Sequence, residues 1–222
     1  MGEQSRPYRM ERRERSQQQT RERIAESAAE LHGTLGPART SMSAVAAHAG
    51  VRRSTLYRHF PDEASLMNAC SAHWAAANPP PDLTVWSTVT DPVERLTLAL
   101  EELYAYYRQT APMLSNLFRD ETTVPLVHER FAAFRAYFLA IREALMAGRG
   151  LRGKARRRAK AAIGHAIAFS TWKSLVLEEG LSEVEAVALM TALIAAADSS
   201  APSSAASEGG ARSNVRREMT AT

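Results

Sequence analysis

From residue 17 to residue 198, apolar positions recur at helical spacing, and no segment alternates apolar and polar long enough to predict a strand. Ile24, Ala28, Leu31 and Leu35 form a first stripe, which Gly36-Pro37 ends. Ser41 or Ser43 can cap a short second helix over Ala44 to His48. Gly50 breaks it, and a third helix is predicted from about Arg53 to His59. Asp62 can cap a fourth, carrying Leu66, Met67, Cys70 and Trp74. The run "NPPPD" then stops the chain, because successive prolines deny helix hydrogen bonds. In the body that follows, Asp91-Pro92 is a cap-then-proline helix start for a stripe of Leu96, Leu100, Leu103 and Tyr107. "APMLSNLF" reads as a separate short helix after Thr110. Val124 to Ala147 is a long helix with Val127, Phe131, Phe134, Phe138, Ile141 and Leu145 on one side. Gly148, Gly150 and Gly153 make the next break, and two final helices, about 154–179 and 182–198, are separated by Gly180.

The fold class is therefore all-α, with a small N-terminal unit (17–78) and a larger helical body (82–198). The flanks have little to bury. Residues 1–16 are Arg, Glu and Gln rich and read as a disordered arm, and residues 199–222, Ser, Ala and Gly rich, as a disordered tail.

Composition narrows the function. The chain has 222 residues, enough for a sizeable core. The apolar run from Ala186 to Ala197 is too short to span a bilayer, and the polar, arginine-rich start has no apolar signal-peptide region. A cytoplasmic location with no membrane partner is the expectation. The single cysteine, Cys70, rules out an internal disulfide, and Cys70 with His73 alone is too few ligands for a metal site. Net charge is +4, but its distribution matters more: residues 1–60 hold 11 Arg against 6 Glu, while the rest is near neutral. A basic small unit on a neutral body suggests a polyanion partner.

The stretch "AVAAHAGVRRSTLYRHF", Ala44 to Phe60, sharpens that suggestion. Gly50 permits the positive φ of a sharp turn between two helices. Ala46, Ala49, Val51 and Leu56 can pack those helices together, leaving Arg53, Ser54, Tyr57 and Arg58 facing outward. The major groove of B-DNA admits one α-helix, and these side chains supply the donors that base edges accept. Thr55, Tyr57 and His59 suit phosphate contacts, which position the unit.

At these residues the chain resembles the TetR family of transcriptional regulators. That pattern runs roughly T-[TS]-x-x-x-I-A-x-x-A-G-V-S-x-x-T-L-Y-x-H-F. Thr40, Ser41, Val45, Ala46, Ala49, Gly50, Val51, Thr55, Leu56, Tyr57, His59 and Phe60 fit it in register. "FSTWKSLVLEEGLSEVEAVALM" resembles the family's last two helices more weakly. The resemblance implies a helix-turn-helix repressor, binding a near-palindromic double-stranded operator as a homodimer and released by a small-molecule effector held in the body. Carried over, Arg53, Ser54, Tyr57 and Arg58 would read bases. Ser41, Thr55 and His59 would hold phosphates, and Ser43 would reach the groove from the second helix. Two positions depart from the pattern. Arg52 replaces the usual capping serine and cannot accept the helix's free N–H groups, but it can donate to phosphate. Glu63 stands where the family often has lysine, and as a helix-start acid it carries no phosphate role.

In the body, Tyr104, Tyr107, Phe118, Phe134, Phe138, Phe169 and Trp172 are candidates to line an effector pocket, although aromatics at this spacing also read as plain core. Asn116, His128 and His165 are polar among apolar neighbours and could orient a ligand, or be satisfied locally. Ala161, Gly164, Ala168 and Thr171 let another helix approach closely, and Leu189, Leu193 and Ile194 offer a matching apolar face. Two such helices per subunit would make a four-helix dimer interface, the alternative being packing within one subunit. "KARRRAK", Lys154 to Lys160, reads as a solvated helix start. No nucleophile elbow, phosphate-binding glycine loop or metal-ligand cluster points to an enzyme or to a cofactor. The competing class is a small-molecule-binding or adaptor protein of the same fold that does not act by releasing DNA.

Overall fold

The computed structural model describes residues 5–199, and the predicted tail from residue 200 onward lies outside them. Helix α1 (Ser5–Thr34) starts well before the predicted first helix, so residues 5–16 are not a disordered arm. Their described side chains are all exposed. Local pairs hold the helix instead: Arg15 donates to Glu11 at 3.3 Å, and Gln18 to Glu22 at 2.7 Å, each one turn away. Such pairs contribute a few tenths of a kcal/mol, on residues with good helix propensity.

Gly36, at φ 94°, turns the chain into a single 3-10 turn, Pro37–Arg39. Helices α2 (Met42–His48) and α3 (Arg53–His59) follow, hinged at Gly50, whose φ of 63° is the left-handed conformation the turn requires. Ser41 caps α2 by accepting from the Ala44 N–H at 3.1 Å. Asp62 and Ser65 form a reciprocal capping box that starts α4 (Glu63–Ala77). These helices close over a small core in which Ile24, Ala28, Val45, Leu56 and Phe60 are almost wholly buried.

The body begins with a short helix the sequence does not predict, α5 (Leu83–Ser87), whose buried Trp86 donates to Glu102 at 2.6 Å. Asp91 caps α6 (Pro92–Asp120) by accepting from the N–H groups of Val93 and Glu94. The predicted break after Thr110 is absent: α6 runs on through Pro112 as one helix. Proline removes one main-chain donor, and burial of Met113, Leu114 and Asn116 beyond it outweighs that loss. Helix α7 (Pro125–Met146) returns across α6. The nearly buried Arg95 ties the two, donating to the carbonyls of Val89, Thr90, Ala144 and Ala147 at 2.8–3.1 Å.

The predicted helix 154–179 is broken in two. Helix α8 (Gly153–Ala166) ends, Ala168 is extended, and α9 (Phe169–Trp172) restarts and widens into a π-helical turn, Lys173–Glu178. Neither proline nor glycine marks this break. Three hydroxyls hold it: Thr171 donates to the carbonyl of His165 at 2.6 Å, Tyr104 to that of Ala166 at 2.9 Å and Tyr107 to that of Ile167 at 2.5 Å. Carbonyls that a continuous helix would have paired are thereby satisfied from the side. Helix α10 (Glu183–Ser199) packs on α6 and α8 and completes a second, larger core around Leu100, Leu103, Tyr104, Tyr107 and Trp172. No described helix is long and apolar enough to cross a membrane.

Candidate nucleic-acid interface and body cleft

Helix α3 has two faces. Leu56 is fully buried, which stabilises the unit by about 1.5–3 kcal/mol and fixes the helix's rotation. That rotation leaves Arg53, Ser54, Tyr57 and Arg58 exposed, with Tyr57 38% exposed despite its aromatic ring. The Arg53 guanidinium lies 5.4 Å from the Tyr57 ring centroid and within 3.3 Å of its hydroxyl, so the two form one polar unit. Ser41, Ser43 and Arg52 are exposed near the start of α2 and α3, and Thr55 is half-buried. Arg52 occupies the N-cap of α3 without a side-chain cap bond.

His59 is a weaker candidate for a phosphate contact. It is half-buried, its Nε2 is buried without a partner among the described residues, and burial, then Arg58 and Arg21, lower its pKa. Its carbonyl accepts from Arg21 of α1 at 2.6 Å, and the same guanidinium sits 4.2 Å from the Phe60 ring centroid. Arg21 thus locks the end of α3 against α1. Further along α1, Arg12 and Arg13 share a polar cleft with Arg58. Sequence reasoning missed this grouping, because it treated residues 1–16 as an arm with no fixed relation to α3.

A clamp joins this unit to the body. Near the end of α6, Asn116 donates to the carbonyls of His32 and Gly33 at 3.1 and 2.8 Å. Arg119 donates to the Leu35 carbonyl at 2.9 Å, to Asn116 Oδ1 at 2.8 Å and to Asp120 at 2.7 Å. Asp120 in turn accepts from the Ala38 N–H at 3.0 Å. Burial pushes the Asp120 carboxyl up, but the bonds from Arg119 and Ala38 outweigh it and leave the group below the usual carboxylate range. Asn116 is therefore spent on holding α1, which is a correction to its reading as a ligand-orienting group. Beneath the clamp, His32 and Cys70 meet at 3.6 Å. Burial lowers His32 to about 4 and raises Cys70 to about 11, so both are neutral at pH 7.

The body contains a cleft of about 730 Å³ between α6, α7 and the α8–α9 break. Phe118, Phe134, Phe138 and Phe169 line it, as do Phe131, Arg119, Arg135, Arg142 and Lys173, which sequence reasoning did not single out. Tyr104, Tyr107 and Trp172 do not line it: they are buried in the core, with the two phenols spent on the α8–α9 carbonyls. His165 and His128 are exposed, and His128 lies 3.6 Å from Glu121. Of the proposed dimer-face residues, Ala161, Leu189 and Leu193 are exposed, the last 52% exposed. Gly164 and Ala168 instead line the cleft, and Thr171 and Ile194 are buried within the subunit. Gly164 reaches the cleft from within α8, beside Arg142 of α7, while Thr171 lies beyond the break, in α9.

Together these features define an all-helical protein that carries a helix-turn-helix on a larger, clefted body. The sequence model of the bacterial regulatory proteins of the tetR family matches residues 24–70. In fold, the chain is similar to a Clostridium perfringens protein assigned as a fatty acid metabolism regulator (TM-score 0.59, 15% identity, 78% of this chain and 96% of that one). It is also similar to a Mesorhizobium loti MAFF303099 protein assigned as a TetR-family transcriptional regulator (TM-score 0.57, 16% identity, 82% and 96%). No curated protein sequence matches the chain. Residues 24–70, which hold the helix-turn-helix, thus match the tetR family, and the described chain shares its fold with a protein assigned as a TetR-family transcriptional regulator.

Proposed function

We propose that the protein is a repressor that binds a near-palindromic DNA operator as a homodimer and is released by a small molecule entering the body cleft. The observation that carries this reading is α3, anchored by Leu56 and presenting Arg53, Ser54, Tyr57 and Arg58 outward as one polar face. Base edges in the major groove meet that face, while Ser41, Ser43, Arg52 and Thr55 contact the backbone. Arg12 and Arg13, grouped with Arg58, extend the phosphate contact along α1. Dimerisation follows from α10, where Leu189 and Leu193, one turn apart on the same face, are 41% and 52% exposed. An exposed apolar stripe of this kind is a protein-contact surface. Release follows from α6, which supplies both cleft wall (Phe118, Arg119) and clamp (Asn116, Arg119, Asp120). A ligand that favours a different position of α6 shifts the unit held at its end.

The test is selection of bound duplex from genomic fragments, followed by sequencing. The expected result is one palindromic motif, bound with an affinity that falls steeply with salt as counterions are released. A protein that enriches no sequence, and whose duplex binding is flat with salt, would instead be a ligand-binding protein built on this fold.

A further inference from the structure

The cleft's size lies within the roughly 300–1,000 Å³ range of small-molecule sites. Its lining states the chemistry of the occupant. One wall is aromatic: Phe118 stacks parallel on Phe169 with centroids 5.4 Å apart, and continues through Phe134 to Phe138 at 5.7 and 4.6 Å. Flat rings pack on such a surface in offset or edge-to-face geometry. The polar groups are unbalanced, with four cations against one carboxylate, Glu121.

Three of those cations already have partners. Arg119 is paired with Asp120, Arg135 with Glu121 and Lys173 with Glu178. Arg142 has no carboxylate within ion-pair distance among the described residues, and its Nε is buried with no acceptor. The neighbouring Glu143 forms its ion pairs with Lys160 and Arg156, and feels Arg142 only as a weaker, more distant charge. Helix α8 leaves space beside this guanidinium: a Cβ on Gly164 would lie 3.5 Å from Arg142 Cδ and 3.6 Å from Nη1. A buried, charged donor without an acceptor is costly, and a planar carboxylate satisfies a guanidinium with two parallel bonds.

We propose that the cleft takes an aromatic carboxylate, with its ring against the phenylalanine wall and its carboxylate on Arg142. The identification of the occupant as the effector rests on the repressor reading above; the chemistry of the site does not. An amine would meet four cations, and a neutral carbonyl would give Arg142 one acceptor without the charge and the second parallel bond that a carboxylate supplies.

The full chain is titrated calorimetrically with 2-naphthoate, 2-naphthamide and 2-naphthylmethylammonium. Naphthoate is expected to bind about tenfold or more tighter than the amide, and the ammonium more weakly than either. Arg142→Gln should abolish the preference for naphthoate while leaving the amide's affinity in place, and Arg142→Lys should restore part of it. Equal affinities, binding by none of the three, or a preference that survives Arg142→Gln overturns the proposal. Duplex affinity with and without naphthoate is measured separately. Arg142-dependent naphthoate binding with unchanged duplex affinity would keep the ligand class and remove the release mechanism.

Discussion

Tyr57 and Arg53 work as a pair on α3: ring and guanidinium in contact, hydroxyl and donor within 3.3 Å. Replacing either with alanine should weaken specific operator binding by about 1–3 kcal/mol, with Arg53→Ala also relaxing the choice at one base pair. Mobility-shift titration against operator and scrambled duplex measures both effects, and unchanged affinity in both variants would remove α3 from the groove. A second residue-scale prediction concerns His32. Its folded pKa of about 4 lies below the ordinary 6.5, so between those values the unfolded chain binds more protons than the folded one. Stability should therefore be fully present above pH 6.5 and fall as pH drops towards 4, by about 3 kcal/mol at most from this residue. Urea unfolding at pH 7 and pH 4.5 should show a smaller loss for His32→Leu than for the unaltered chain.

At the scale of elements, the structure departs from the sequence pattern where side chains from elsewhere take over the main chain's hydrogen bonds. Helical periodicity shows where residues can lie on a helix, but not where a distant hydroxyl will end one. Between His165 and Trp172 there is neither glycine nor proline, yet Tyr104 and Tyr107 end α8 from a helix some 60 residues earlier in the chain (separations of 62 and 60). Tyr107→Phe strands the Ile167 carbonyl in the core and should cost about 1–3 kcal/mol in chemical denaturation. Gly36 is the matching point at the clamp. Its φ of 94° and ψ of 156° suit glycine almost alone, and an added Cβ would lie 2.0 Å from Arg119 Nη2 and 2.6 Å from Asp120 Oδ2. Gly36→Ala should therefore destabilise the chain by about 2–4 kcal/mol. If thermal and urea unfolding were unaltered, the clamp would not hold the helix-turn-helix unit as described.

For the whole molecule, the exposed stripe on α10 has a direct consequence. Leu193→Glu places a charge on that face without touching the buried Ile194 beside it. The variant should sediment as a folded monomer where the unaltered chain sediments as a dimer. Its operator affinity should fall by about a hundredfold, because the two half-sites are no longer held together. A variant that remains dimeric would move the interface off α10. Much of the molecule was legible beforehand: the span of α3, the caps at Ser41, Asp62 and Asp91, and the turn at Gly50 all follow from local chemistry. The cleft was legible only in part. Phe118, Phe134, Phe138 and Phe169 line it, while Tyr104, Tyr107 and Trp172, with the same spacing, are core.

By itself, the sequence determined what depends on neighbours in the chain: helix type, caps, the glycine turn and the outward face of α3. Each rests on contacts within a few residues, where spacing settles geometry. Tertiary structure alone decided what depends on groups far apart in the chain. It set Asn116 on the carbonyls of α1, ended α8 at Ala166, drew Gly164 and Ala168 to the cleft, and left Arg142 as the cleft cation with no carboxylate partner among the described residues. A side chain's partner in a folded core is fixed by packing between helices, and that packing leaves no periodic mark along the chain.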